Sequence, residues 1–415
     1  AALPAGAAEG RYSASAEESL VDIQAFWSAT LPATYGRRFD PIPTSRIHPY
    51  SSADPPPGCG TRRDTPYRQV AGNAFYCEDG DFIAYDVELL IPRLRDRYGD
   101  VAVGLVLAHE MGHAIQARVG APPGAFVTTE LQADCFAGAW ARRVAQGDGT
   151  RLRLSHDDLD RALAGFLELR DPSGTPGDAA GAHGNAFDRV SAFQDGLTGG
   201  ASACRGYVTD PPQVTQAEFT SAEDQAVNGD PPLDESLPLV TRSLDAYWDR
   251  AVRRYGSAPR LRASQAAIPS CPGTSDGGVL VDSVRYCPEN RTIVYRAATL
   301  EDAAGSIGDM AAGVYVAAAW ASAVQDDLGY EVGSGSARER AICLTGAWAG
   351  AVEGGSGTTS PSAAISFSPG DLDEIIAVFV ADDVRSGRVE HPRAFERVAQ
   401  FRTGFEGGPA ACLDV

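Results

Sequence analysis

Four of the eight cysteines in this 415-residue chain share one spacing. Cys135 and Cys204 lie 204 − 135 = 69 positions apart, and so do Cys343 and Cys412, 412 − 343 = 69. The other four form two closer pairs, Cys59 with Cys77 (77 − 59 = 18) and Cys271 with Cys287 (287 − 271 = 16). Eight cysteines allow 105 pairings, and the duplication selects 59–77, 135–204, 271–287 and 343–412. Zinc ligation by cysteine is the competing reading, but no Cys-x-x-Cys pair occurs. Disulfides therefore imply an oxidising, extracytoplasmic setting.

The repetition is wider than the cysteines. Ile23-Gln24-Ala25-Phe26-Trp27 resembles Leu244-Asp245-Ala246-Tyr247-Trp248, and the stretch from Cys135 to Ala141 matches that from Cys343 to Ala349. Ala186-Phe187-Asp188-Arg189-Val190 returns as Ala394-Phe395-Glu396-Arg397-Val398. A period near 208 residues is too long for a solenoid. Two tandem domains follow, 15–204 and 239–415, with a linker rich in Pro and acidic residues at 205–238. The chain starts without Met, which implies a removed leader, either a signal peptide or a lipid-anchored segment, and a flexible tail at 1–14.

Each copy reads as a helix, a disulfide-tied loop, a β-hairpin and several further helices, an α+β and mainly helical class. The run AFYCEDGDFIAYD carries the hairpin signal. Asp100 and Asp309 are expected to cap one pair of equivalent helices, and Thr128 and Ser336 the next. Ser155-x-x-Asp158 and Ser368-x-x-Asp371 have the capping-box pattern.

Residues 104–116 read GLVLAHEMGHAIQ, and residues 313–325 read GVYVAAAWASAVQ. The first holds His109-Glu110-x-x-His113. Histidines four apart project from one helix face and can grip one ion. Glu110 beside them is placed to act on a metal-activated water as general base. Glu130 and Asp134, again four apart, are the candidates for completing the site. Glu130 is the better ligand, and Asp134 suits a hydrogen bond that fixes a ligand histidine's tautomer. The second copy replaces His109, Glu110 and His113 with Ala318, Ala319 and Ser322. Aligned on Cys135 and Cys343, Glu130 falls on Arg338 and Asp134 on Ile342. Loss of all five together is what a vanished metal predicts. His183 and Arg189 keep counterparts in His391 and Arg397, so His183 reads first as a structural hydrogen-bonding group and second as an oxyanion donor. His48 and His156 read as solvent-facing, and Trp320, in place of Met111, as core packing.

LAHEMGHAIQ, followed by ELQADCFAGAW, preceded by FYC and trailed by His183-Gly184 and Arg189, resembles the bacterial neutral zinc metallopeptidase family. The similarity covers about 70–200, and the second copy resembles the family as a degenerate relative. The resemblance implies a gluzincin type, with His109, His113 and Glu130 on a single zinc in the first domain, Glu110 as general base and Asp134 behind the ligands. It also implies peptide or protein substrates. Residues 170–185 depart from the family's more acidic run.

The remaining readings set the context. A net charge of −20 excludes a polyanion such as nucleic acid as partner. All 35 basic residues are arginine, which reads as the codon bias of a GC-rich bacterial genome. No apolar run reaches the roughly 18 to 20 residues of a membrane span. Intramolecular contact between the domains is expected, with the second regulating, binding or stabilising. The rival function is a secreted binding or scaffold protein with a non-catalytic zinc.

Overall fold

The computed structural model describes residues 5–60, 65–148, 152–265, 268, 271, 277–354, 365–386 and 393–413. The chain divides into two compact units, one of residues 1–171 and 176–214, the other of residues 172–175 and 215–415. Both are mainly helical with a small sheet.

The first unit opens with a long helix, α1 (Ala5–Tyr35), so residues 5–14, expected as tail, form helix instead. Alanine at positions 5, 7, 8 and 14 favours this, against the cost of Gly6 and Gly10. The sheet has three strands, β1 (Ile47–Tyr50), β2 (Ala74–Cys77) and β3 (Phe82–Asp86), with the short helix α2 (Tyr67–Val70) before β2. The hairpin is the one the alternating pattern predicts, with Ala74 opposite Tyr85 and Cys77 opposite Phe82. A strand the sequence did not signal, β1, pairs in parallel on the far side of β3. The order β1-β3-β2 buries all of β3 and leaves β2 as an edge.

Helices α3 (Leu90–Tyr98), α4 (Asp100–Val119), α5 (Phe126–Ala145), α6 (His156–Glu168), α7 (Ala186–Gly199) and α8 (Ala201–Gly206) follow. Apolar burial is dense along α4 and α5, and each is hydrophobic on nearly all sides over its middle turns. Helices α5 and α7 are drawn unusually close. A Cβ on Gly138 would meet the Phe193 carbonyl oxygen at 2.0 Å, and one on Gly196 the Cys135 oxygen at 1.8 Å. Glycine at both facing positions permits that approach, and the Cys135–Cys204 disulfide ties α5 to α8, which follows α7. Closing a loop of that length restricts the unfolded chain by about 4 kcal/mol. The indole N–H of Trp140 donates to Asp22 of α1, tying the first helix to the core.

The second unit contains α9 (Ala222–Ala226), α10 (Leu233–Ala251), strands β4 (Arg260–Ser264), β5 (Val284–Cys287) and β6 (Thr292–Arg296), then α11 (Ala297–Ser306), α12 (Asp309–Leu328), α13 (Gly335–Glu353), α14 (Asp371–Ser386) and α15 (Ala394–Leu413). Its sheet order is β4-β6-β5, with β4 parallel and β5 antiparallel to β6. Trp348 donates its indole N–H to Ser243 of α10. Part of the expected linker 205–238 is ordered as α9 and the start of α10, where Ser221 and a run of acidic residues favour helix starts.

All four disulfides have the pairing expected from the duplication. The capping expectations divide. Ser155 and Asp158 form the reciprocal box, and the Ser368 N–H donates to Asp371. Asp100 and Asp309 are instead the first helical residues, behind Gly99 and Gly308 with φ of +88° and +153°. Ala125, not Thr128, is the cap position of α5, and Ser334, not Ser336, caps α13. These side chains sit within a turn of the helix start, a resolution that sequence spacing does not have.

Candidate metal centre

Helix α4 supplies His109 and His113 from one face, and α5 crosses it to bring Glu130 alongside. The crossing is close because position 112 is glycine, where a Cβ would lie 2.9 Å from the Cα of Ala133. The three side chains form a triangle of donors. His109 Nε2 is 3.1 Å from His113 Nε2 and 3.1 Å from Glu130 Oε2, and His113 Nε2 is 3.3 Å from Glu130 Oε1. Donors about 2.0 to 2.1 Å from a tetrahedral zinc stand roughly 3.3 Å apart, so the triangle fits the ion.

The opposite ring nitrogens explain why these donors face one another. His109 Nδ1 is 2.8 Å from Asp134 Oδ1, and His113 Nδ1 is 2.9 Å from Gln116 Oε1. With Nδ1 donating in each case, neutral rings turn both Nε2 lone pairs inward 3.1 Å apart, a place that a proton fills in the metal-free protein and that a metal ion can take over. Asp134 is fully buried and held by Arg189, whose Nε and Nη2 donate at 2.8 and 3.0 Å. Arg189 also donates to the Leu169 carbonyl. Gln116 donates to the Thr129 carbonyl at 2.7 Å and to Gln132 Oε1 at 3.1 Å. Gln132 in turn donates to the Cys204 carbonyl. Sequence reading assigned neither Gln116 nor Arg189 to the site. Both lie in the segments carrying the resemblance, and both have counterparts in the second copy, Gln325 and Arg397.

Burial acts against every charge here, and partners decide the outcome. It pulls His109 down, yet Asp134 and Glu130 overcome it and hold the metal-free imidazole at about 10. His113 is likewise raised, with burial outweighed by Glu130. Glu130 and Asp134 are lowered against burial, Glu130 by His113 and His109, Asp134 by Arg189 and His109. Glu110 differs in direction. Burial pushes its carboxyl up, opposed by the two histidines, and its Oε2 accepts the Tyr76 N–H of β2 at 2.9 Å. It stands beside the triangle, outside the three-donor group.

Two cavities meet at Glu110. One is a polar cleft of about 550 Å³ bounded by Asn73–Tyr76 along β2 and by the triangle. The other is an apolar pocket of about 120 Å³ whose walls include Leu94, Leu105, Val106 and Phe166. Asn73 and His183 border both. The His183 side chain is 46 % exposed, with Nδ1 3.7 Å from Asp171 Oδ1, so it stands at the rim of the cleft. His391 lies outside the described residues. His156 is exposed as expected, while His48 is half-buried, edge-on to Phe82.

Residues 57–207 match the family model described as "Putative neutral zinc metallopeptidase". That family implies a zinc ion and hydrolytic chemistry. Among curated proteins, the chain is similar to the uncharacterized protein YpfJ of Escherichia coli K12, 29 % identical over 170 residues, 35 % of this chain and 55 % of that protein. It is similar also to the uncharacterized protein Rv2575 of Mycobacterium tuberculosis, 30 % identical over 156 residues, 31 % of this chain and 53 % of that protein. The chain thus spans about half the length of the curated relatives it matches. No solved structure matches significantly. Among the described residues no helix is long and apolar enough to cross a membrane.

Proposed function

We propose that the chain is a zinc-dependent endopeptidase working outside the cytoplasm, with residues 15–204 catalytic and residues 239–415 a copy that has lost its metal. The observation that carries this reading is the triangle of His109, His113 and Glu130 with Glu110 directly beside it. Zinc held by those three residues would polarise a carbonyl and acidify a water. Glu110 takes the water's proton and hands it to the departing amine. Its buried carboxyl, raised above the ordinary range, is suited to both transfers. The Tyr76 N–H steadies Glu110 from the edge strand.

That edge strand also gives the substrate its shape. Ala74 and Tyr76 direct their N–H groups away from β3, to Asn73 Oδ1 and Glu110. Their carbonyls point the same way, since both groups of one strand residue share an edge. An extended peptide laid along β2 would pair with them, and the apolar pocket beside Glu110 would take one aliphatic or aromatic side chain. His183 and Asn73, at the rim of both cavities, are in place to donate to a developing oxyanion. Disulfides support the extracytoplasmic setting.

The second unit has the same strand order, and α10 to α15 follow the order of α1 and α3 to α7, which supports its origin as a copy. Ser322 and Arg338 border a void of only about 20 Å³ under the backbone of Gly277–Val279. Trp320 packs in the core and donates to the Tyr255 hydroxyl, in keeping with a core role. Replacing Glu110→Gln tests the reading. Zinc should remain at one per chain by elemental analysis while hydrolysis of a peptide library falls by at least about 10²-fold. Turnover retained in that variant, or no hydrolysis by the zinc-loaded parent, would favour a scaffold with a non-catalytic ion.

A further inference from the structure

We propose that the second unit holds a calcium ion of its own, bound by Asp230, Asp309 and Glu374 at the start of α12. One carboxylate oxygen from each lies within 4.8 Å of the others, a spread that oxygens about 2.3 to 2.6 Å from a calcium ion can occupy. Asp309 and Glu374 are buried, at 6 % and 9 % exposure. Asp371 is likewise buried, at 4 % exposure. Oδ1 of Asp309 and Oδ1 of Asp371 are both buried without a hydrogen-bond partner, and the strongest charged neighbour of Asp371 is Asp309. An unpartnered buried carboxylate oxygen costs several kcal/mol unless a cation or proton meets it.

The first unit shows what is missing. There Gly99 precedes α4 as Gly308 precedes α12, and Asp100 matches Asp309. Asp100 is paired with Arg95, and Asp158, the counterpart of Asp371, with Arg161. The Arg161 Nε lies 3.8 Å from the point a Gly99 Cβ would occupy, and the Glu374 carboxyl carbon lies 2.1 Å from the same point on Gly308. Counting from the shared Gly-Asp and Ser-x-x-Asp landmarks, Arg95 becomes Ala304 and Arg161 becomes Glu374. Two guanidinium groups are gone, one carboxylate has replaced a cation, and Asp230 has been added. The strongest charged influences on Asp309, Asp371 and Glu374 come from one another, from Asp230 and from Asp224. Backbone N–H groups of Asp309 and Met310 donate to Asp230 and Glu374. That pins two carboxylates and offsets about half a charge, far less than the cluster carries. An all-oxygen, carboxylate-rich donor set selects a hard divalent ion over zinc.

The test uses the full chain, stripped of metals and reloaded with one equivalent of zinc, titrated with calcium chloride by calorimetry and followed by thermal unfolding. One calcium per chain is expected, with a rise in the unfolding temperature. Asp309→Asn and Glu374→Gln should weaken binding at least tenfold. Glu374→Arg, which restores the first unit's guanidinium, should abolish calcium uptake, leave zinc content intact and remove the calcium-dependent rise. Should that variant fail to fold, the Gln and Asn variants decide the matter. No calcium uptake by the parent, uptake unchanged in the variants, or tighter binding of magnesium than calcium would each overturn the assignment. Stabilisation by acid in place of calcium would identify a proton-sharing cluster instead.

Discussion

Gln116 shows what a duplicated sequence can and cannot say about a single residue. It persists as Gln325 where no metal ligands remain, and both donate to an equivalent carbonyl, of Thr129 in one unit and Ala337 in the other. Repetition therefore identified a true structural bond and concealed a second role, since only Gln116 also fixes the ring of a ligand histidine. Gln116→Ala should lower zinc affinity by about 10- to 100-fold, measured by competition with a chromogenic chelator, while the disulfide-locked fold persists. His109 supports a pH prediction. Its metal-free value is raised to about 10, so its protonated form stabilises the fold fully below pH 6.5, and that contribution is lost as the pH rises through about 10. Zinc needs the bare Nε2. Binding at pH 7 should release at least one proton, and affinity should climb about tenfold per pH unit in that range. Calorimetry in two buffers of different ionisation enthalpy counts the protons, and a count of zero would contradict the geometry.

At the scale of elements, the site depends on how closely α4 and α5 cross. Ligands reside on both helices, so their separation sets the donor triangle. Gly112 meets the backbone of Ala133 directly, and Gly112→Val should force the helices apart, costing about 1 to 3 kcal/mol in stability. The larger effect is expected on zinc, at least a tenfold loss of affinity, read by chelator competition alongside chemical denaturation. In the second copy Ala321 stands at that position, where no triangle has to be kept. Helices and hairpin were legible because their signals are local: periodicity, alternation and turn residues. Strand β1 was not, since its four residues gain their order only from a parallel partner more than thirty positions away. Cap positions slipped for a related reason. Gly99 and Gly308 end one helix and admit the next, and a neighbouring Asp looks like a cap from sequence alone.

For the whole molecule, all residues assigned to zinc chemistry belong to the first unit. Residues 1–214 produced alone should retain one zinc and, on the proposed reading, peptide hydrolysis within about tenfold of the full chain. Elemental analysis and a peptide-library digest would check this, and a fragment that takes up no zinc would show that the second unit supports the site. Calcium, by the same division, should leave that fragment unaffected. The sequence alone determined the disulfide pairing and the hairpin, and it carries the internal repetition on which the proposal of a second, metal-less copy rests, because repeated spacing and helical periodicity survive in a one-dimensional pattern. Only the tertiary structure decided that Arg189 holds Asp134, that His183 stands at a cleft rim and that β2 runs as an edge strand beside Glu110. It alone brought Asp230, Asp309 and Glu374 together. Those outcomes depend on which side chains meet across elements far apart in the chain, and burial there sets the energy of every unpaired charge.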